Sequence, residues 1–441
     1  MAKEKKEVRQ NEYEGCYGEV CAPTEVKHFL LNTFKMNEIS EENRQGRWST
    51  CIWGHRGVGK TSVAKQLEDH PIVWRGKKYK GYKVVSVPIA QFEEMGDLHG
   101  MPDRHVKILN GNKSRWVPEQ VLAKWIENGW TIDETAGVTT RYAPPDWVPQ
   151  EEGPCILLLD DWNRASIRII KGCMQLLQDY GMVSWQLPAG CNIVLTGNPD
   201  QQDYQVTSMD SAIITRIQSV TQRTDKAQWA LWAQENGVDP KVINFVLMYP
   251  EMLIGRERTC PRSIARFGQS LNYGWSEPTP KNGKQIKEED RWKWIVPLAK
   301  SLLDDETIAA IVAFFNTDLE KVISPEEILN ADNQDAINEK LLKLLPPGSE
   351  DQRTDIVSII LERLYIWIIQ EDCEVSDRRI ENFQKFIINE TIPDDARYSV
   401  IRRLATYNGN NKLASSWMTS KNPEGPTYTK LAENLVNSMS T

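Results

Sequence analysis

The 441-residue sequence has no apolar run long enough to cross a bilayer. Its most apolar stretch, residues 356–369, falls short of the roughly 20 residues that a membrane helix needs and is interrupted by Glu362 and Arg363. That stretch reads as a buried helix of a bundle, and no membrane partner is expected. The first residues are mixed in charge with no apolar segment behind them, so no secretory signal is expected there. An excess of positive charge is also missing. Lys and Arg total 53 against 61 Asp and Glu, a formal net charge of −8, so a basic nucleic-acid footprint over the whole surface is excluded while a local patch is not. Cysteine is sparse and scattered. Cys16 and Cys21 lie near His28, but with no second close pair in the chain they read as incidental rather than as zinc ligands. Cys51, Cys155 and Cys191 fall in or beside apolar runs, where a free thiol behaves as a small apolar side chain. That usage fits a reducing cytoplasm, or a host's cytoplasm for a viral chain. Internal repeats and low-complexity tracts are lacking as well.

What the chain does have is WGHRGVGKTS at 53–62, a complete G-x-x-x-x-G-K-[ST] phosphate-binding pattern. Backbone without side chains can curl its amide groups around an anion at contact distance, which explains the glycines. The candidate nucleotide-binding residues are Gly54, His55, Arg56, Gly57, Val58, Gly59, Lys60, Thr61 and Ser62. Lys60 is expected to reach the β- and γ-phosphates of ATP, and Thr61 to offer its hydroxyl to Mg²⁺. A β-prone run at 49–53 precedes the loop. A helix is expected over 61–70, with Val63 and Leu67 on one face and Pro71 ending it, so that its dipole backs the phosphates.

Further along, residues 81–89 read as a strand, and 93–152 as a long polar stretch. CILLLDD at 155–161 has the pattern of a central parallel strand with two acids at its carboxyl edge. Ile167, Ile170, Met174 and Leu177 recur at helical spacing, with Gly181 as the expected C-cap. Residues 192–196 give another buried strand. Strands alternating with helices imply a parallel α/β sheet, whose ligands sit at the carboxyl ends of strands, where Gly54, Asp160 and Asn198 would converge. From 224 onward helical periodicity takes over, with helices near 226–236, 241–248 and 262–271 and a polar linker over 274–290. Apolar stripes follow at Ile308, Ile311, Val312 and Phe315, and at Leu341, Leu342, Leu344 and Leu345. The second stripe is broken by the PPG at 346–348, and the polar end of the chain is expected to be partly disordered. The domain reading is a helical lead-in over 1–45, an α/β nucleotide-binding domain over 46–222, a helical lid over 223–318 and a helical region over 319–441.

Hydrolysis of a phosphoanhydride needs a metal holder, a group acting on the water and positive charge for the transition state. Asp160 is the candidate metal holder with Thr61, and Asp161 the candidate to polarise the attacking water. The bland alternative is that the paired acids only cap the next helix, a task Asn163 would serve as well.

LLLDDWNRA at 157–165 resembles the second nucleotide motif of the MoxR and dynein-related branch of AAA+ ATPases. TGNP at 196–199 resembles that branch's sensor 1, which implies that Asn198 orients the water. MDSAIITR at 209–216 resembles the stretch ending in the arginine finger, implying that Arg216 acts in a neighbouring subunit's site, with Arg223 a nearby rival. CPRS at 260–263 resembles sensor 2, implying that Arg262 approaches the γ-phosphate from the lid. The resemblance covers about half of the chain. It departs from the family at Asp161, where Glu is usual, at His55 and Arg56, where proline is common, and at Trp162, which replaces an aliphatic residue.

The resemblance implies an AAA+ P-loop core with a parallel sheet in the order 5-1-4-3-2, a helical lid and Mg²⁺-ATP hydrolysis. A homo-oligomer is implied too, by family habit a hexameric ring. The client would be a separate protein, in this family often one with a von Willebrand type A domain, and no D-x-S-x-S motif occurs in this chain. An alternative is a nucleic-acid-directed motor or loader, using GTP in some relatives, encouraged only by the basic clusters at 77–80 and 104–113. A third is a nucleotide-regulated scaffold with slow or no turnover, motivated by Asp161. Trp116, Trp125, Trp130 and Trp147 lie where the branch often carries an insert, and read as core anchors.

Overall fold

The computed structural model describes residues 13, 15–199, 206, 211–254, 257–275, 288–317, 322–346, 353–369, 376–389 and 391–405. Two compact units divide the chain, Met1–Arg223 and Thr224–Thr441.

In chain order the first unit contains β1 (Glu19–Cys21), α1 (Pro23–Glu42), β2 (Ser49–Trp53), α2 (Lys60–Lys65), β3 (Ile72–Trp74), β4 (Lys77–Tyr79) and β5 (Lys83–Val87). There follow β6 (Met101–Asn110), β7 (Lys113–Pro118), α3 (Leu122–Glu127), β8 (Thr131–Ile132) and β9 (Val138–Ala143). The unit closes with β10 (Cys155–Leu159), α4 (Ile167–Asp179), β11 (Cys191–Gly197), α5 (Ser211–Ile214) and β12 (Ile217–Gln222).

Six strands, all parallel, form the main sheet in the order β1-β12-β2-β11-β10-β5. This corrects the expected five-stranded order 5-1-4-3-2. A sixth strand, β1, lies at the edge beyond β12, inside the segment read as a helical lead-in. Counted from Ser49, the other five run fifth, first, fourth, third, second from that edge. A three-residue edge strand is too short to leave a periodic signal, and β1 owes its place to pairing with β12, Val20 opposite Thr221.

β2, β10 and β11 are buried at every position, the mark of strands covered on both faces. Alternate residues go to opposite faces. Ile52, Ile156, Leu158 and Val194 pack against Leu30 and Phe34 of α1 and Val63 of α2. Cys51, Leu157, Ile193 and Leu195 pack against Ile169, Cys173 and Leu176 of α4. Each large apolar side chain so buried contributes about 1.5–3 kcal/mol, which holds the sheet edge rigid beneath the loops it carries.

α4 is capped by Ser166, whose side chain accepts from the Ile169 N–H, so neither acid nor Asn163 serves as its cap. Its buried face is Ile169, Ile170, Cys173, Leu176 and Leu177; of the expected stripe Ile170 and Leu177 are buried, Met174 packs partly buried against the same core, and only Ile167 is exposed. The helix ends at Tyr180 rather than Gly181. Tyr180 takes the left-handed conformation (φ 55°), and its buried hydroxyl donates to the Trp48 carbonyl at 2.7 Å.

The polar stretch after β5 holds a second sheet that periodicity did not reveal. β6 pairs antiparallel with β7 on one side and with β8 and β9 on the other. Few of its residues are buried, chiefly Val106, Ile108 and Val117, so the alternating signal is short and one-sided. None of the four tryptophans expected as core anchors is fully buried. Trp125 meets Trp130 edge-on at 5.4 Å, both half-buried, whereas Trp147 packs partly buried against the core, edge-on to the buried Trp185 at 5.5 Å.

The second unit is helical: α6 (Lys226–Glu235), α7 (Pro240–Met248), α8 (Pro261–Trp275), α9 (Glu288–Leu302), α10 (Asp305–Thr317), α11 (Pro325–Asn330), α12 (Asp335–Leu344), α13 (Thr354–Ile368), α14 (Asp377–Ile387) and α15 (Asp394–Ala405). One cluster of buried side chains runs from Trp229 to Leu404, so the segments read as lid and carboxyl-terminal region share a core. α13 is the apolar run of the sequence. Its charges are partnered there, Glu362 with Arg403 and the buried Arg363 with Gln234 at 3.2 Å. Much of the expected 274–290 linker, part of the 346–348 break and the polar end of the chain lie outside the described residues. Among the described residues no helix is long and apolar enough to cross a membrane.

Candidate functional site

β2, β10 and β11 are neighbours and parallel, so the residues that follow them emerge at one edge of the sheet. Gly54 follows β2, Asp160 follows β10 and Asn198 follows β11. The three segments were separate in the sequence, and the register makes them adjacent.

Lys60 begins α2 and is buried, 7% exposed. Its Nζ donates to the carbonyls of Gly54 (2.8 Å) and His55 (3.0 Å) and to Oδ1 of Asn198 (3.1 Å). Thr61 Oγ1 donates to Asp160 Oδ1 at 2.8 Å. Asn198 Nδ2 donates to Asp161 Oδ1 at 2.9 Å, and Arg164 Nε lies 3.8 Å from Asp161 Oδ2. Lys60, Asn198 and Asp161 are thus one bonded set and Thr61 and Asp160 another, and the two meet where Asp160 and Asp161 adjoin in the chain.

Two glycines are required by the geometry. At Gly54 a Cβ would stand 2.7 Å from the Gln222 carbonyl oxygen, a backbone atom that cannot yield. Gly59 has φ +96° and is the residue from which α2 starts, a conformation L side chains rarely adopt. The loop is thus pressed against the end of β12 and turns sharply into a helix amino-terminus, an arrangement suited to an anion. The donor set of one hydroxyl and one carboxylate beside it suits a Mg²⁺ ion that keeps several of its waters. Among the described residues there is no group of three or more His, Cys, Asp and Glu that would form a protein-only metal cage.

Sequence reasoning assigned no role to three residues of this site. Thr196 Oγ1 donates to Asp160 Oδ1 at 2.6 Å and accepts from the Asp161 N–H at 2.9 Å. Its signal was available, since it lies at the carboxyl end of β11, two residues before Asn198. Asn163, weighed only as a helix cap, clamps the Asn198 backbone in both directions. Its Nδ2 donates to the Asn198 carbonyl (2.8 Å) and its Oδ1 accepts from the Asn198 N–H (3.0 Å). Gln222 Nε2 donates to the Val58 carbonyl at 2.7 Å and so braces the loop, while its Oε1 is buried with no partner. Nothing local in the sequence marks Gln222.

Beneath the group lies an aromatic floor. Trp53 and Trp162 are fully buried and meet edge-to-face at 6.5 Å. Gly197 leaves room for Trp53, whose ring a Cβ there would meet at 2.6 Å. His55 lies 5.5 Å from the Tyr13 ring, and Arg56, Gly57 and Val58 are half-buried along the loop. Ser62 is exposed on α2. Cys16 has its thiol pushed up to about 11 by burial, against which the Lys60 charge and a hydrogen bond to Thr221 pull down. Burial likewise raises the Cys51 thiol well above its ordinary value.

Arg216 is not part of this group. It precedes β12 at the amino-terminal edge of the sheet, where Ile217 pairs with Ser49, and the phosphate loop lies at the other edge. Its Nε donates to Gln178 Oε1 at 3.1 Å, and its guanidinium also bonds the Ala212 carbonyl. Met209 and Asp210 of its motif lie outside the described residues. Arg223 follows β12, its N–H bonded to the Cys21 carbonyl at 2.9 Å. Arg262 belongs to the second unit, exposed in the first turn of α8. A cavity of about 250 Å³, lined among others by Phe34, Trp74, Tyr82 and Asn192, also lies away from the motif residues.

No protein-family model matches the sequence, and no curated protein matches it. Among solved structures, a mutant RuvB of Thermotoga maritima aligns over 81% of this chain and 95% of that one, at 11% identity and a TM-score of 0.29. A likeness that slight carries no argument about function.

Proposed function

We propose that this chain is a Mg²⁺-dependent ATP hydrolase of the AAA+ kind, in the MoxR-like branch. The observation that carries the reading is the convergence of Lys60, Thr61, Asp160, Asp161 and Asn198 at the carboxyl edge of a parallel sheet. In this reading the loop 54–61 cradles the phosphates and Lys60 turns from its carbonyl partners toward the β- and γ-oxygens. Thr61 and Asp160 would hold Mg²⁺, which when bound neutralises charge on those oxygens. Asp161 accepts a proton from the attacking water while Asn198, bonded to it, fixes that water's direction. Arg262 is kept as the proposed contributor of charge from the helical unit on the strength of its motif.

Arg216 is proposed to act in trans. Its position at the sheet edge away from its own phosphate loop supports that reading, since a finger has to serve another subunit's site. Head-to-tail rings, hexameric by the family's habit, satisfy this geometry. The work done is proposed to be remodelling or assembly of a separate protein client, such as one with a von Willebrand type A domain. The nucleic-acid alternative draws less support. Within its two basic clusters Lys80 pairs with Asp69 (2.7 Å), Arg104 with Glu119 (3.4 Å) and Lys107 with Asp133 (3.3 Å), which reduces the charge available to a phosphate backbone.

Calorimetric titration of the purified chain with Mg-ATP tests the reading. A saturable heat lost in Lys60→Ala is expected. No heat with the wild-type chain would overturn it.

A further inference from the structure

Thr196 is fully buried on β11, a strand with no exposed position. A valine would fill the same space, and a hydroxyl in an apolar sheet is unfavourable unless its hydrogen-bonding capacity is used. Here it is used in both senses, as donor to Asp160 and acceptor from Asp161. The register sets this up. Leu159 pairs with Leu195, which brings Thr196 level with the two acids that follow β10.

Two consequences follow for the acids. Asp160 Oδ1 accepts from two hydroxyls, Thr61 and Thr196, so the rotation of the carboxylate is fixed and Oδ2 stays outside both bonds. Asp161 adopts a left-handed conformation (φ 51°, ψ 38°) that L-residues disfavour, and its N–H is anchored on Thr196. In that conformation its carboxylate meets Asn198 Nδ2.

We infer that Thr196 is a positioning residue: one buried hydroxyl orients the metal-side acid and the water-side acid together. The inference rests on the Mg-ATP reading proposed above. Its signature is a metal dependence, because Asp160 acts on nucleotide only through Mg²⁺, whereas Lys60 and the loop grip phosphate without it.

The test uses the full chain as wild type, Thr196→Val and Thr196→Ser, with a fluorescent N-methylanthraniloyl ATP titrated first in EDTA and then across a Mg²⁺ series. Binding in EDTA is expected to be equal in all three. The Mg²⁺ concentration that half-restores tight binding should rise about tenfold or more in Thr196→Val, the loss expected of one hydrogen bond to a charged group, and return in Thr196→Ser. Hydrolysis should fall in parallel. Thr196→Ala carries the same measurement should the valine variant not fold. A role confined to stability would lower the melting temperature and leave the Mg²⁺ midpoint in place, and that result would overturn the inference alone. Wild-type chain that binds no nucleotide at any Mg²⁺ concentration would sink the hydrolase reading and this inference with it.

Discussion

Lys60 Nζ lies 3.1 Å from Oδ1 of Asn198, a residue 138 positions later in the chain. An ammonium only donates, so the amide must turn its oxygen toward Lys60, and its nitrogen is then directed at Asp161, 2.9 Å away. A single side chain thereby links the cation that would grip phosphate with the carboxylate that would act on water.

Replacing Asp161 by Asn keeps the size of the side chain and removes the proposed base. Asp161→Asn is expected to bind Mg-ATP as the wild type does and to lose turnover by about 10²–10⁴-fold. Phosphate release measured beside calorimetry separates the two effects. Hydrolysis at the wild-type rate would show that the water is handled elsewhere.

Asn163→Ala removes both bonds to the Asn198 backbone and leaves a buried N–H and carbonyl without partners. The expected cost is about 1–3 kcal/mol of unfolding free energy, read as a lower urea midpoint at unchanged slope. An unaltered midpoint would mean that water replaces the clamp.

Arg216→Ala should leave nucleotide affinity nearly intact and abolish hydrolysis in the assembled state. Sedimentation and turnover measured across a dilution series check this. Dilute monomers that hydrolyse as fast as the oligomer would rule out the trans role.

Burial pushes the Cys173 thiol up to about 12 and, beside Lys60, the Cys16 thiol up to about 11, from an ordinary 9.0. A folded value above the unfolded one means stability fully present below pH 9 and lost as pH rises through the folded values. Melting temperature should therefore hold to about pH 9 and fall above it, with a shallower fall in Cys173→Ala. Equal slopes in the two proteins would assign the loss to other groups.

The phosphate loop, the apolar strands before it and before the paired acids, and the helical second half were legible because each is written in consecutive residues. Glycines at fixed offsets, five apolar residues in a row and a 3.6-residue period need no knowledge of distant neighbours. The exposed sheet around Val106 and Ile108 was not legible, since a sheet with one thin apolar face leaves too few alternating positions. One edge of the buried face of α4 differs from the expected stripe for a related reason. Cys173 serves there as a small apolar residue, and Ile167, apolar in sequence, faces solvent.

The sequence by itself determined that a phosphate-binding pattern stands ahead of two acids and an asparagine that follow buried strands, because short-range pattern and backbone stereochemistry dictate that much. Tertiary structure alone decided that Thr196 ties the two acids together, that Asn163 clamps Asn198 and that Gln222 braces the loop from the end of β12. It also decided that β1 closes the sheet edge and that Arg216 lies away from its own loop. These outcomes depend on strand register and on hydrogen bonds between residues 35 or more positions apart, which no local period records.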